Sequence, residues 1–79
     1  MKDKVADIIR ILGMGFNELV FDFEVDGVDF NSIEWDPEQD KVFLHIFDDE
    51  NEMDHHCDFE GMDIDKQIKV YKILSVFLN

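Results

Sequence analysis

The run Lys41-Val42-Phe43-Leu44-His45-Ile46-Phe47 is apolar on both of its alternating faces. Successive side chains of a strand point to opposite sides, so Val42, Leu44 and Ile46 share one face and Phe43, His45 and Phe47 the other. This reads as an interior strand, covered on one side and partly used on the other.

Working back towards the N-terminus, Asp36-Pro37-Glu38-Gln39-Asp40 is a turn, with proline fixing φ and aspartate favouring its start. The strand before it, Val28 to about Trp35, turns Val28 and Phe30 inward, then Ile33 and Trp35. That change of parity predicts a β-bulge near Asn31-Ser32. Asp26-Gly27 is a hairpin signal that sets Val25 opposite Val28. Residues 18–25 alternate, with Leu19, Phe21, Phe23 and Val25 inward and Val20, Asp22 and Glu24 outward. Upstream, Val5, Ile8, Ile9 and Leu12 have helical spacing over residues 3–12, with Asp3 as N-cap and Gly13-Met14-Gly15 as the link to the sheet.

Towards the C-terminus, Asp48-Asp49-Glu50-Asn51-Glu52 is an acidic loop, and 53–59 is a weaker fourth strand in which Met53, His55, Cys57 and Phe59 alternate with Asp54, His56 and Asp58. Asp63 or Asp65 then caps a second helix reaching about Leu78. Its apolar residues form two neighbouring stripes, Ile64, Ile68, Tyr71, Leu74 and Leu78 beside Val70, Ile73 and Phe77. One stripe should meet the sheet, and the other the first helix or a second subunit. The fold expected is α+β, in the order α-β-β-β-β-α: one small domain with an antiparallel meander sheet and both helices on one face. The alternative has three strands, with 53–59 irregular.

The chain has 79 residues and a formal net charge of −13. Between Glu18 and Glu60 sixteen acids stand against one base, Lys41, whereas residues 1–17 and 61–79 each carry +1. Direct contact with nucleic acid or an anionic membrane is disfavoured, because both need clustered Lys and Arg. The lone cysteine, Cys57, allows no internal disulfide, and no apolar run is long enough for a membrane span or signal peptide. A cytoplasmic protein is expected.

With helices on one face, the other face carries Asp22, Glu24 and Glu34, then Phe43, His45 and Phe47, then Asp54, His56 and Asp58. Pairing Phe47 with Asp54 sets His45 across from His56 and Phe43 across from Asp58. It also sets Ile46, Leu44 and Val42 across from His55, Cys57 and Phe59, so parity holds on both faces. Two readings of this face stand. Either charge simply solvates it, or two phenylalanines ringed by carboxylates form a binding patch.

Metal and catalytic readings are weaker. His55 and His56 point to opposite faces, no zinc-type ligand spacing exists, and the acidic loop lacks the glycine of an EF-hand. A set of His45, His56 and Asp54 or Asp58 is all that remains for a metal, and no cofactor is implied. Ser32 and Ser75 have no histidine placed as a base, and Cys57 should be a buried thiol.

The function expected is therefore non-enzymatic: a protein-binding module whose acidic sheet docks on a basic partner, one that itself binds nucleic acid being the leading case. The alternative is a small homodimer whose acidic face serves only solubility.

Overall fold

A computed structural model describes residues 1–48 and 50–78. Asp49 of the acidic loop and the terminal Asn79 lie outside the described residues. The elements run α1 (Lys2–Leu12), β1 (Glu18–Val25), β2 (Val28–Asp36), β3 (Lys41–Asp48), β4 (Met53–Asp58), a 3-10 turn (Phe59–Gly61), α2 (Ile64–Ser75) and a second 3-10 turn (Val76–Leu78). The strands form one antiparallel sheet in the order β1-β2-β3-β4. Both helices lie against the face that carries Phe23, Val25, Phe30, Ile33, Val42 and Leu44. Val5, Ala6, Ile8 and Ile9 of α1, Phe59 of the first 3-10 turn, and Val70 and Leu74 of α2 complete the core. None of the described helices is long and apolar enough to cross a membrane.

Each turn follows from its residues. Asp26 and Gly27 have φ of 50° and 85°, the doubly left-handed turn that Asp-Gly favours, and Val25 pairs with Val28. In the β2–β3 turn the Asp36 carboxylate accepts from the Glu38 and Gln39 amides at 2.9 and 3.3 Å. Asp40 closes that turn at φ 54°. Asp40 also ties the turn to the start of α1. Its Oδ2 accepts from Lys2 Nζ at 2.7 Å and its Oδ1 from the Trp35 indole at 3.3 Å. Arg10 lies over the Trp35 ring, 5.2 Å from its centre, so α1 is held on this end of the sheet by two cationic contacts.

The Lys2 hydrogen bond, then that of Trp35, holds the Asp40 carboxyl below its ordinary value of 3.8, and Asp40 in turn raises Lys2. A lowered carboxylate adds stability above its unfolded value and loses it as pH falls through the folded one. The raised lysine keeps its share below its unfolded value and loses it as pH rises through the folded one. An NMR titration of the Asp40 carboxyl carbon should therefore have its midpoint below 3.8 and move upward in Lys2→Met. A midpoint unchanged by that substitution would contradict the contact.

Four local expectations are corrected. The helix starts at Lys2, with Met1 at the N-cap and Asp3 in the first turn. Asp63 occupies the N-cap of α2, but its side chain accepts no hydrogen bond there, and the α-helix stops at Ser75. The extra residue of the bulge belongs to β1: Val20 pairs with Ser32 and Phe23 with Phe30, leaving Phe21 and Asp22 across from Asn31. Cys57 is on the helix side of the sheet, paired with Leu44, yet it is exposed. The helices do not reach over β4, whose side chains are open to solvent on both faces from Met53 to Cys57.

At the bulge Asn31 does the work of backbone. In the amide orientation that matches donors to acceptors, its NH2 donates to the His45 carbonyl and its oxygen accepts from the Phe47 amide, both at 3.0 Å. The β2–β3 ladder ends at Ser32–His45, and the carboxamide carries it one step further. Asn31→Ala strands a donor and an acceptor of β3, and a loss of about 1–2 kcal/mol is expected in urea unfolding. An unchanged midpoint would mean the carboxamide does not bridge the strands.

Candidate functional site

The face without helices is laid out by register. One cross-strand row holds Glu18, Glu34, Phe43 and Asp58, and the next holds Val20, Ser32, His45 and His56. Phe47 pairs with Asp54, and Glu24 pairs with Asp29. Asp22 stands at the bulge beside Asn31. The pairs His45/His56, Phe43/Asp58 and Phe47/Asp54 are thus those expected from alternation. Of the inward pairs, Ile46/His55 and Leu44/Cys57 form, but β4 ends at Asp58 and Phe59 begins the 3-10 turn.

His45 is the hub. Its Nε2 is 2.6 Å from Glu34 Oε1 and its Nδ1 is 3.3 Å from Asp54 Oδ1. Carboxylates only accept, so both contacts are hydrogen bonds when the ring carries two protons, and a neutral ring can donate to one of them. The ring is 14% exposed, the least exposed of this polar group. His56 lies edge-on to Phe43 with ring centres 5.4 Å apart, and 5.9 Å from His45. Lys41 reaches Asp58 at 3.7 Å. Phe43 is half-buried in this cluster, while Phe47 is 49% exposed.

This geometry alters the inventory. Sequence reasoning found no histidine near Ser32, but Ser32 and His45 are cross-strand partners. Both nitrogens of that ring face carboxylates, so neither is left to take a proton from the Ser32 hydroxyl. Among the described residues no three His, Cys, Asp or Glu side chains converge on a point where a metal ion could sit.

The acids are unequal. Glu34 and Asp54 are engaged by His45, Asp58 by Lys41, Asp26 by Lys69 and Asp40 by Lys2. Glu18, Asp22 and Glu24 of β1 have no cationic partner among the described residues. The sequence reading also passed over Val20, which is 75% exposed on the same strand. The available signal was a β-branched apolar residue standing alone on an otherwise acidic strand face.

Comparison with protein-family models, with curated proteins and with solved structures finds no match to this chain. The site must speak through its chemistry.

Proposed function

We propose that this domain is a non-enzymatic binding module whose acidic sheet face docks on a basic partner protein, in competition with that partner's nucleic acid. The observation that carries the reading is the helix-free face on which Asp22, Glu24, Glu34, Asp54 and Asp58 surround Phe43 and Phe47. A sheet holds such groups at fixed spacing, about 4.8 Å between strands and about 6.8 Å between alternate residues. Duplex DNA carries a charge for every ~1.7 Å of axis, so the face would imitate a short and sparse phosphate array. Apolar contact through Phe47 would supply the rest, as an anchor within a charged rim.

The test is capture from a cell lysate on the immobilised protein, beside a variant carrying Asp22→Asn, Glu24→Gln, Asp54→Asn and Asp58→Asn. Basic proteins should be retained by the native face, lost from the variant, released by salt and displaced by added duplex DNA. Retention that ignores both salt and DNA would refute the reading.

The second reading, a homodimer, is favoured by one observation: Val76, Phe77 and Leu78 remain 68%, 53% and 48% exposed at the C-terminal turn. Ile64 at the start of α2 is also 59% exposed, whereas Val70, Tyr71, Ile73 and Leu74 are used internally, against α1 and the sheet. Sedimentation equilibrium separates the readings, and a dimer that resists salt and is broken by Phe77→Asp would favour the second.

A further inference from the structure

We infer that the free edge of β1 is itself a docking edge, taking an extended cationic segment of a partner protein as a fifth strand. The inference rests on the reading above for the sign of the partner's charge and shares Asp22 and Glu24 with that face, but it uses the open backbone of the β1 edge and the groove beside it.

Three observations meet at this edge. First, β1 is terminal in the sheet and pairs only with β2. Among the described residues no other backbone group bonds to it. Second, a depression lined by Leu12, Leu19, Val20, Phe21 and Phe77 follows that edge. It contains the inward Leu19 and Phe21 together with the outward Val20, so it wraps from one sheet face to the other. Phe16, 77% exposed, extends it at the start of the strand. Third, the unpaired carboxylates of Glu18, Asp22 and Glu24 stand along the same strand.

The opposite edge lacks this combination. β4 is two residues shorter than β1, and its outward positions are Asp54, His56 and Asp58. Its two carboxylates are already engaged, Asp54 by His45 and Asp58 by Lys41, so they offer less to a cationic strand than the unpaired acids of β1.

Charge selects the occupant. A second copy pairing through β1 would set Glu18, Asp22 and Glu24 against like charges, which destabilises cross-strand pairs. A cationic strand reverses that sign. Its main chain would bond to the open N–H and C=O groups of β1, and its side chains would alternate between two surroundings. Lys or Arg on the outer side would lie beside Glu18 and Asp22. Aliphatic residues on the inner side would lie beside Leu19 and Phe21 and reach Phe77. The bulge at Phe21-Asp22 limits continuous pairing, so the added strand should be short.

The test uses an end-blocked synthetic peptide of alternating Lys and Val, as long as β1 at 8 residues. A peptide of the same composition with its lysines and valines in separate blocks is the control. Both are titrated into the isotope-labelled full chain at low salt and followed by NMR. The expected result is saturable binding of the alternating peptide alone, slowed hydrogen exchange of β1 amides, and shifts at Leu12, Val20 and Phe77. Val20→Lys should weaken that binding on the order of tenfold while leaving the spectrum of the folded domain intact.

If both peptides bind alike and move Phe43 and His56 instead, the edge inference falls and docking on the sheet face stands. If neither peptide binds, the edge inference also falls, and the lysate experiment judges the face by itself. Concentration-dependent shifts at β1 without peptide would give the edge to a second copy and overturn the cationic occupant.

Discussion

Phe59→Ala is expected to be the most damaging single substitution in this chain. Phe59 is the largest of the fully buried side chains, at 0% exposure. It sits in the 3-10 turn after β4, built by the Asp58 carboxylate accepting the Glu60 amide at 3.0 Å and by Met62 N–H donating to the Phe59 carbonyl at 3.1 Å. That turn swings the ring off the exposed β4 and in against β3. Removing a buried phenylalanine side chain costs about 3–5 kcal/mol. A domain of this size holds roughly 4–12 kcal/mol in all. The melting temperature should therefore drop by ~12 °C or more, since each kcal/mol shifts a small domain by ~4–8 °C. Phe77→Ala is the internal comparison. Its ring is 53% exposed and touches Phe21 edge-on at 5.1 Å, so its loss should cost about 1 kcal/mol or less. Equal effects of the two substitutions would mean that Phe59 does not fill the core.

Phe59 also marks where sequence reasoning ends. Alternation correctly put it on the inward side, because a 3-10 turn beginning there keeps the ring on the same side of the sheet. Nothing in alternation says that the strand stops one residue earlier. The same logic separates the rest. The Asp26-Gly27 hairpin, the parity change in β2 and the β3–β4 register were legible because strand period and turn chemistry are local. The exposure of Cys57 was not, because it depends on how far two helices extend across the sheet. Those helices cover β1, β2 and β3 and stop short of β4. The bulge was readable as a change of parity on β2, but which strand holds the extra residue is decided by pairing, which one strand alone does not encode.

The candidate site divides along the same line. Which residues share the outer face followed from period two. The Glu34–His45–Asp54 contacts join three strands through side-chain rotamers, and these are tertiary facts. So is the contrast between engaged acids around His45 and unengaged acids on β1. A total of −13 cannot distinguish a carboxylate held by a neighbour from one free to meet a partner. That distinction moves the weight of any docking surface towards β1.

The link that presents β1 gives the second large effect. Gly13→Ala is expected to destabilise the domain by about 3 kcal/mol, the upper end for forcing an extra methyl group into occupied space. Gly13 caps α1 at φ −75° and ψ −8°, a conformation open to alanine, so its requirement is room and not backbone freedom. A Cβ there would overlap the Phe16 carbonyl oxygen and come within 2.7 Å of the Ile9 carbonyl oxygen. Both atoms are backbone and cannot rotate away. The Ile9 oxygen also serves the link, accepting from Gly13 N–H at 2.8 Å, and Phe16 is held in place by its own amide, which donates to the Gly13 carbonyl at 3.0 Å. Relief therefore has to shift Phe16 and the entry to β1. Gly61→Ala is the control, because the nearest atom to its Cβ would be the Asp58 Cβ at 3.9 Å, and a change within about 0.5 kcal/mol is expected. Urea unfolding ranks the two, and NMR shifts at Phe16 and Val20 in Gly13→Ala report the displaced strand entry. A Gly13→Ala protein as stable as Gly61→Ala would mean that the chain leaves α1 by another route, and that the groove beside Phe16 is not held in place by this turn.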